Sequence, residues 1–422
     1  MEQFNEKQKL AIQCNETEIV IIAPAGSGKT TTLVGAITRY KNENPDSKVV
    51  AITFTRKAAE DLSNKLMEYT NIRTSTIHSW AYTELDILSK RVSKEFPQNT
   101  FKVKLLEEDR IKEILNSIIK NRGYKYLNMY QLYSYVMGNY NIEVNDKLKR
   151  VFQSVKDSYV AYKEDNGLYD FTDLPQYLLD KLNDYGLNIE KIDALFVDEF
   201  QDVDETQLEL FNRVPAQKKF YIGDPQQAIY IFRGATPDVL DKLDDFKTHD
   251  LNINYRSYQE IVDFASSVQD KAMIQGVNFT IEKESSRSNI ECIKGYGGNV
   301  YTLNASGDAY KVNEYIRVKG IDVIRGFIMR NSMILCRKNK EVRAIKNLGY
   351  DNVSTIHQAK GLEYESVIIT SFELAPGNME EINIAYVGMT RAEDYLLAAD
   401  YNAFIYLLPK IMPDYKKANS LF

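Results

Sequence analysis

The sequence predicts an α/β fold built on parallel sheets, with a helical insert in its first half. Three observations carry this. Apolar runs of strand length alternate with amphipathic stretches of helix length; one strand-to-helix junction holds a glycine-rich turn ending in Gly-Lys-Thr; and residues 81–168 are charged, tyrosine-rich and free of strand punctuation. Alternation of this kind implies βαβ units, whose crossovers make neighbouring strands parallel.

The elements follow in order. EIVIIAP (18–24) reads as a strand before a helix opening at Gly28, and KVVAITF (48–54) as a strand before a helix from Lys57. Beyond the strandless insert, ALFVDEF (194–200) precedes the helical ETQLELFNRV, and KKFYIGD (218–224) ends at a turn. Residues 281–298 are polar and glycine-containing and read as a loop. The alternation then resumes with SMILC, a helix to about Leu348, VSTIH, ESVIITS and YLLAAD.

Composition narrows the function classes. At 422 residues, with 44% hydrophobic and 27% charged residues, the chain suits a globular protein with two or three cores. The run IVIIAPA is too short to cross a bilayer and lacks the basic lead of a signal peptide, so no membrane partner and a cytoplasmic location are expected. Cys14, Cys292 and Cys336 lie far apart, which indicates neither a disulfide framework nor a zinc site. A net charge of −6 argues against a uniformly basic nucleic-acid coat, while leaving room for a groove with local basic and aromatic contacts.

The chemistry begins at APAGSGKTTTL (23–33). Gly26 and Gly28 permit close backbone approach to phosphate, Lys29 reaches the β- and γ-phosphates, and Thr30 can ligate Mg²⁺. The phosphate-loop pattern asks for glycine at its first position, where this chain has Ala23. ALFVDEFQD then ends a buried strand in two carboxylates, which is costly unless they serve a cation or a proton transfer. Asp198 suits the Mg²⁺-holding role and Glu199 the polarisation of the attacking water, where helix capping is the bland alternative. Arg256 in INYRS and Arg391 in AYVGMTRAED follow tyrosines at the ends of apolar runs. Either could stabilise charge developing on the γ-phosphoryl group, or be a surface ion-pair member; spacing alone leaves this open. In GDPQQAIYIFRGA (223–235) a polar amide pair is followed closely by aromatic rings and an arginine, a composition open to core packing by Tyr230 and Phe232 or to stacking on bases.

With these residues in place, the chain resembles the superfamily 1 DNA helicases of the UvrD/Rep/PcrA type, over most of its length and in the family's motif order. FNEKQ is similar to the Q motif, which implies Gln8 at the adenine. Ala23, Pro24, Ala25, Gly26, Ser27, Gly28, Lys29 and Thr30 match the family's phosphate loop, including its leading alanine. AITFTRKAA (51–59) and STIHSW (75–80) resemble segments that touch single-stranded DNA, implying contacts from Phe54, Arg56 and His78. YDFTDL (169–174) resembles the segment returning from the helical insert, and VDEFQD the helicase form of the acidic motif, extended by Gln201 and Asp202. INYRS, STIHQAKGLEYE (354–365) and AYVGMTRA follow in order.

The resemblance implies the roles of the turn and of the later motifs. Gln227 senses the γ-phosphate, Tyr230 and Phe232 stack on bases with Arg233 alongside, His357 and Lys360 lie near the DNA path, and Glu363, Arg256 and Arg391 join the nucleotide site. Where relatives place an arginine on the adenine this chain has Thr31, which leaves base recognition to Tyr255 and Gln8. The implied architecture is two RecA-like P-loop lobes, residues 1–80 with 169–250 and 251–422, and a helical insert at 81–168, without the large insert of the second lobe. The implied function is an ATP- and Mg²⁺-dependent translocase on single-stranded DNA and its junctions with duplex, running 3′→5′. The alternative is a motor subunit acting with a separate nuclease in recombination, repair or defence against foreign DNA. A P-loop enzyme of another class, such as a small-molecule kinase, would need neither the aromatic turn nor the second arginine.

Overall fold

The computed structural model describes residues 4–98, 100–138, 145–230, 234–236, 239–240, 242–274, 290–312, 314–370 and 378–419. They form two compact units.

The first unit comprises Met1–Ile22, Lys29–Gly223 and Ile231–His249. Its sheet holds β1 (Glu18–Ile22), β2 (Val49–Thr53), β3 (Ile72–Thr76), β4 (Ala194–Val197), β5 (Lys218–Gly223) and β6 (Lys247–Asp250), in the order β3-β2-β4-β5-β1-β6. The β2–β3, β2–β4, β4–β5 and β1–β5 pairs are all parallel. Every residue of β2 and β4 is buried, which is why both read as unbroken apolar runs rather than as alternating ones. One core joins Val50, Ile52, Leu195 and Val197 of the sheet to Trp80, Leu85 and Leu88 of helix Ile77–Glu95 and to Leu178 and Leu182 of helix Leu174–Tyr185. Because β5 lies between β1 and β4, the three strands end side by side, with Ile22 opposite Gly223 and Val197 opposite Tyr221. That carboxyl edge is where open α/β sheets place their ligands.

Within this unit, helices Glu108–Asn121, Met129–Val136 and Asp146–Asn166 pack a separate core around Ile111, Leu115, Leu132, Phe152, Val155 and Tyr159. A buried ionic cluster ties the last of these helices to the returning YDFTDL segment. Lys163 Nζ donates to Asp170 Oδ2 at 2.6 Å and to Asp173 Oδ1 at 2.8 Å, while the Tyr159 hydroxyl donates to Asp170 Oδ2 at 3.0 Å.

The second unit comprises Ala23–Gly28, Asp224–Tyr230 and Asp250–Phe422. A short parallel pair, β7 (Ile253–Asn254) and β8 (Glu291–Cys292), precedes the main sheet. That sheet contains β9 (Asn299–Leu303), β10 (Asp308–Lys311), β11 (Ile316–Lys319), β12 (Met333–Cys336), β13 (Val353–Thr355), β14 (Tyr364–Thr370) and β15 (Ala392–Ala399), in the order β11-β10-β9-β15-β14-β12-β13. Its pairings are parallel from β9 through β15 and β14 to β12 and β13, and antiparallel for β9–β10 and β10–β11. Ile334, Ile368, Leu397 and Phe404 fill one core and Leu335, Val367, Leu396 and Tyr386 another, which also takes in Ala25 and Ile229.

The α/β class, with its two largely parallel sheets, is the expected one. Two local expectations are corrected. Glu291–Cys292, inside the stretch read as loop, pairs as β8 because Cys292 buries beside the similarly buried Asn254; residues 281–289 of that stretch lie outside the described ones. The antiparallel edge β9–β11 was absent from the sequence reading altogether. Among the described residues, no helix is long and apolar enough to cross a membrane.

Candidate nucleotide and DNA site

On the first unit, Lys29 opens helix Lys29–Glu43 and Thr30 follows it. Thr30 Oγ1 donates to Asp198 Oδ2 at 3.4 Å, and the Glu199 backbone N–H donates to Asp198 Oδ1 at 2.9 Å. Asp198 is 7% exposed, just beyond β4. Burial, and then the neighbouring Glu199 charge, push its carboxyl up to about 7, with Lys29 opposing. A hydroxyl and a buried carboxylate, crowded by a second acid, form a hard-oxygen donor set that fits Mg²⁺, whose charge would relieve the crowding. Glu199 itself sits at φ 52°, ψ 42°. A non-glycine residue in this left-handed region stores strain of about 1–3 kcal/mol, and such strain clusters at functional sites. Its carboxylate accepts a hydrogen bond from Gln201 Nε2.

On the second unit, the glycine-rich turn curls through Gly26 (φ 73°) and Gly28 (φ 80°), with the Ser27 N–H donating to the Pro24 carbonyl at 3.2 Å. A residue not singled out from the sequence fastens this turn. Asn254, 2% exposed, donates from Nδ2 to the Ala25 carbonyl at 2.8 Å, while its Oδ1 accepts from the backbone N–H groups of Arg256 and Ser257, each at 2.8 Å. The Tyr255 N–H donates to the Gly26 carbonyl at 2.8 Å. A Cβ on Gly26 would lie 2.6 Å from Asn254 Nδ2, so the turn requires glycine there for space as well as for φ. The tyrosine–arginine pair of INYRS is thus presented from a backbone bonded to the phosphate turn.

Both arginines are held. Arg256 donates from Nε and a terminal nitrogen to Glu363 Oε1, and from the other terminal nitrogen to the Thr390 carbonyl at 2.9 Å. Arg391, 2% exposed, donates to the Val387 carbonyl at 2.9 Å and to Gln227 Oε1 at 3.2 Å. Gln227 in turn donates from Nε2 to Asp224 Oδ2 at 2.6 Å, and its backbone carbonyl accepts from Lys360 Nζ at 2.9 Å. The same ammonium lies 4.9 Å from the centroid of the Tyr230 ring, and His357 stands 6.1 Å from that ring. Gln227, Tyr230, His357, Lys360 and Arg391 are therefore one assembly.

The remaining expected residues are more dispersed. Gln8 is buried and spends its Oε1 on a capping box with the Asn5 N–H at 3.1 Å. Thr31 is exposed, and Tyr255 is 38% exposed. Phe54 is half-buried just after β2; Arg56 is exposed, 5.9 Å from the Phe171 ring; His78 is half-buried in helix Ile77–Glu95. Phe232 and Arg233 lie outside the described residues.

Comparison with known proteins identifies the family. The family model of the UvrD/REP helicase N-terminal domain matches residues 4–248, and that of the UvrD-like helicase C-terminal domain matches 352–398. The chain is 29% identical to a probable DNA helicase II homolog of Mycoplasma capricolum, over 80% of this chain and 49% of that protein. It is 25% identical to a probable DNA helicase of Mycoplasma pneumoniae, over 94% and 83%, and 31% identical to the ATP-dependent DNA helicase Rep of Buchnera aphidicola, over 63% and 45%. The chain thus spans about half the length of two of these relatives and most of the third. With the N-terminal family model matching more than half of the chain, the protein belongs to the UvrD/REP helicase family.

Proposed function

We propose that the chain is an ATP-driven motor on single-stranded DNA that separates duplex strands, moving 3′→5′. The observation that carries this reading is the bonded path from Arg391 through Gln227 to Lys360 and Tyr230, which joins a phosphate-directed guanidinium and amide to an aromatic ring suited to a base. In this mechanism Lys29 and the backbone N–H groups of the glycine turn hold the β- and γ-phosphates. Thr30 and Asp198 would hold Mg²⁺, which when bound neutralises phosphate charge. Glu199 orients the attacking water, and Arg256 and Arg391 stabilise charge developing on the γ-phosphoryl group.

Gln227 senses whether that group is present, and its bond to Lys360 passes the state to Tyr230. Base–aromatic stacking is worth about 1–3 kcal/mol per base and tolerates any sequence, which suits a motor stepping along arbitrary DNA. Binding should accordingly weaken as salt rises. Phe54, Arg56, His78, Phe232 and Arg233 extend the DNA path in this proposal, and Tyr255 and Gln8 face the adenine. A cytoplasmic site of action completes it; the alternative is a motor subunit acting with a separate nuclease, which co-purification from the native host tests. The test of the motor is strand displacement from duplexes with a 3′ or a 5′ single-stranded tail. Displacement from the 3′-tailed substrate alone is expected; ATP-dependent displacement from the 5′-tailed one alone would reverse the polarity, and none from either would remove the unwinding.

A further inference from the structure

We propose that Gln201 is a positioning residue for hydrolysis, holding the Glu199 carboxylate through its side-chain amide. The inference rests on Glu199 being the water-orienting carboxylate. Gln201 is 1% exposed, too buried to serve as an ordinary surface amide, and its Nε2 donates to Glu199 Oε2. Glu199 needs such a restraint, because its left-handed backbone gives the side chain no support from a regular helix or strand.

The short 3₁₀ turn Phe200–Asp202 that carries Gln201 is fastened to β5. The Phe200 ring stacks on Tyr221 with centroids 4.4 Å apart and planes 9° apart. At the end of β5 the amide leaves no room beside Gly223: a Cβ there would lie 2.7 Å from Gln201 Oε1 and 3.1 Å from the Gln201 backbone nitrogen. Where the chain returns, the Thr236 N–H donates to the Val203 carbonyl at 3.0 Å and Ala235 forms a bridge with Asp204. Residues 201–204 are therefore fixed against Gly223, Ala235 and Thr236 of the same unit, which holds Gln201 in place beside Glu199.

The test is Gln201→Met, which keeps length and volume but removes the amide donor. DNA-stimulated kcat should fall on the order of 10- to 100-fold, the usual cost of misplacing a reacting group. KM for ATP, affinity for a fluorescent ATP analogue, affinity for an oligothymidine and the melting temperature should stay at wild-type values. Gly223→Ala should reproduce the kcat loss by displacing the amide, and the double variant should be no slower than the slower single variant. Wild-type kcat in Gln201→Met would overturn the proposal; so would a kcat loss matched by loss of nucleotide affinity or melting temperature, which would make Gln201 merely structural. Normal turnover in Glu199→Gln would instead remove the reading beneath it, whereas an inactive Glu199→Gln beside a fully active Gln201→Met would remove the Gln201 proposal alone.

Discussion

Glu199→Gln is expected to leave ATP bound and unhydrolysed. The substitution keeps the size of the side chain and leaves Lys29, Thr30 and Asp198 untouched, so the phosphate contacts and the Mg²⁺ ligands persist. What disappears is the carboxylate proposed above to orient the attacking water, and loss of a positioned acid–base group of this kind costs about 10²–10⁴-fold in turnover. Lys29→Ala should behave differently, losing nucleotide affinity together with rate, because its ammonium touches the ground-state phosphates. Steady-state ATPase rates beside titration of a fluorescent nucleotide separate the two. Wild-type turnover by Glu199→Gln would mean that another group performs the step.

Lys163→Ala should destabilise the first unit by about 3–5 kcal/mol at neutral pH, the usual consequence of removing one partner from a buried ion pair. Asp170 would be left enclosed, and Asp173 half-buried beside it, without their cation. The sign of the pH dependence follows from the two carboxyls. Burial alone would raise Asp170, but the Lys163 charge and hydrogen bonds from Lys163 and Thr172 outweigh it and hold the group below the ordinary carboxylate range. Its stabilising contribution is therefore present above the unfolded value of about 3.9 and is lost as pH falls through the lower folded value. Asp173 is raised, by burial and then by the Asp170 charge, and so favours the folded state at the acid end, losing that contribution as pH rises through its folded value. Without Lys163 both acids become costly when ionised, so the deficit should be largest at pH 7 and shrink toward pH 4. Urea unfolding at the two pH values checks this; a deficit that grows on acidification would mean that the lysine does not carry the cluster.

The parts that the sequence made legible are those where one physical constraint dominates. Strands buried on both faces, such as β2 and β4, must be continuously apolar, and a backbone that wraps phosphate must be rich in glycine. The antiparallel edge escaped notice because β9, β10 and β11 are partly solvated, so they lack the apolar run that marked the central strands. Asn254 was hidden for a different reason. It acts through one buried amide on a carbonyl 229 residues away in sequence, and an asparagine in a string gives no sign of such a partner. Nor does composition reveal a backbone angle: Glu199 was legible as an acid after a strand, but its left-handed conformation and the amide of Gln201 were not. The histidines were legible only as members of motifs: His357 stands beside the Tyr230 ring, and His78 sits half-buried in helix Ile77–Glu95.

The most direct measurement of the motor is the steady-state ATPase rate of the wild-type chain without DNA, with blunt duplex and with single-stranded oligothymidine. In the proposed motor the path from Arg391 and Gln227 to the Tyr230 ring ends on an unpaired base, so single strands should raise the rate by at least tenfold, on the order expected when a group is brought into its reacting position, and duplex should raise it little. Equal rates under all three conditions would contradict the coupling of phosphate chemistry to DNA.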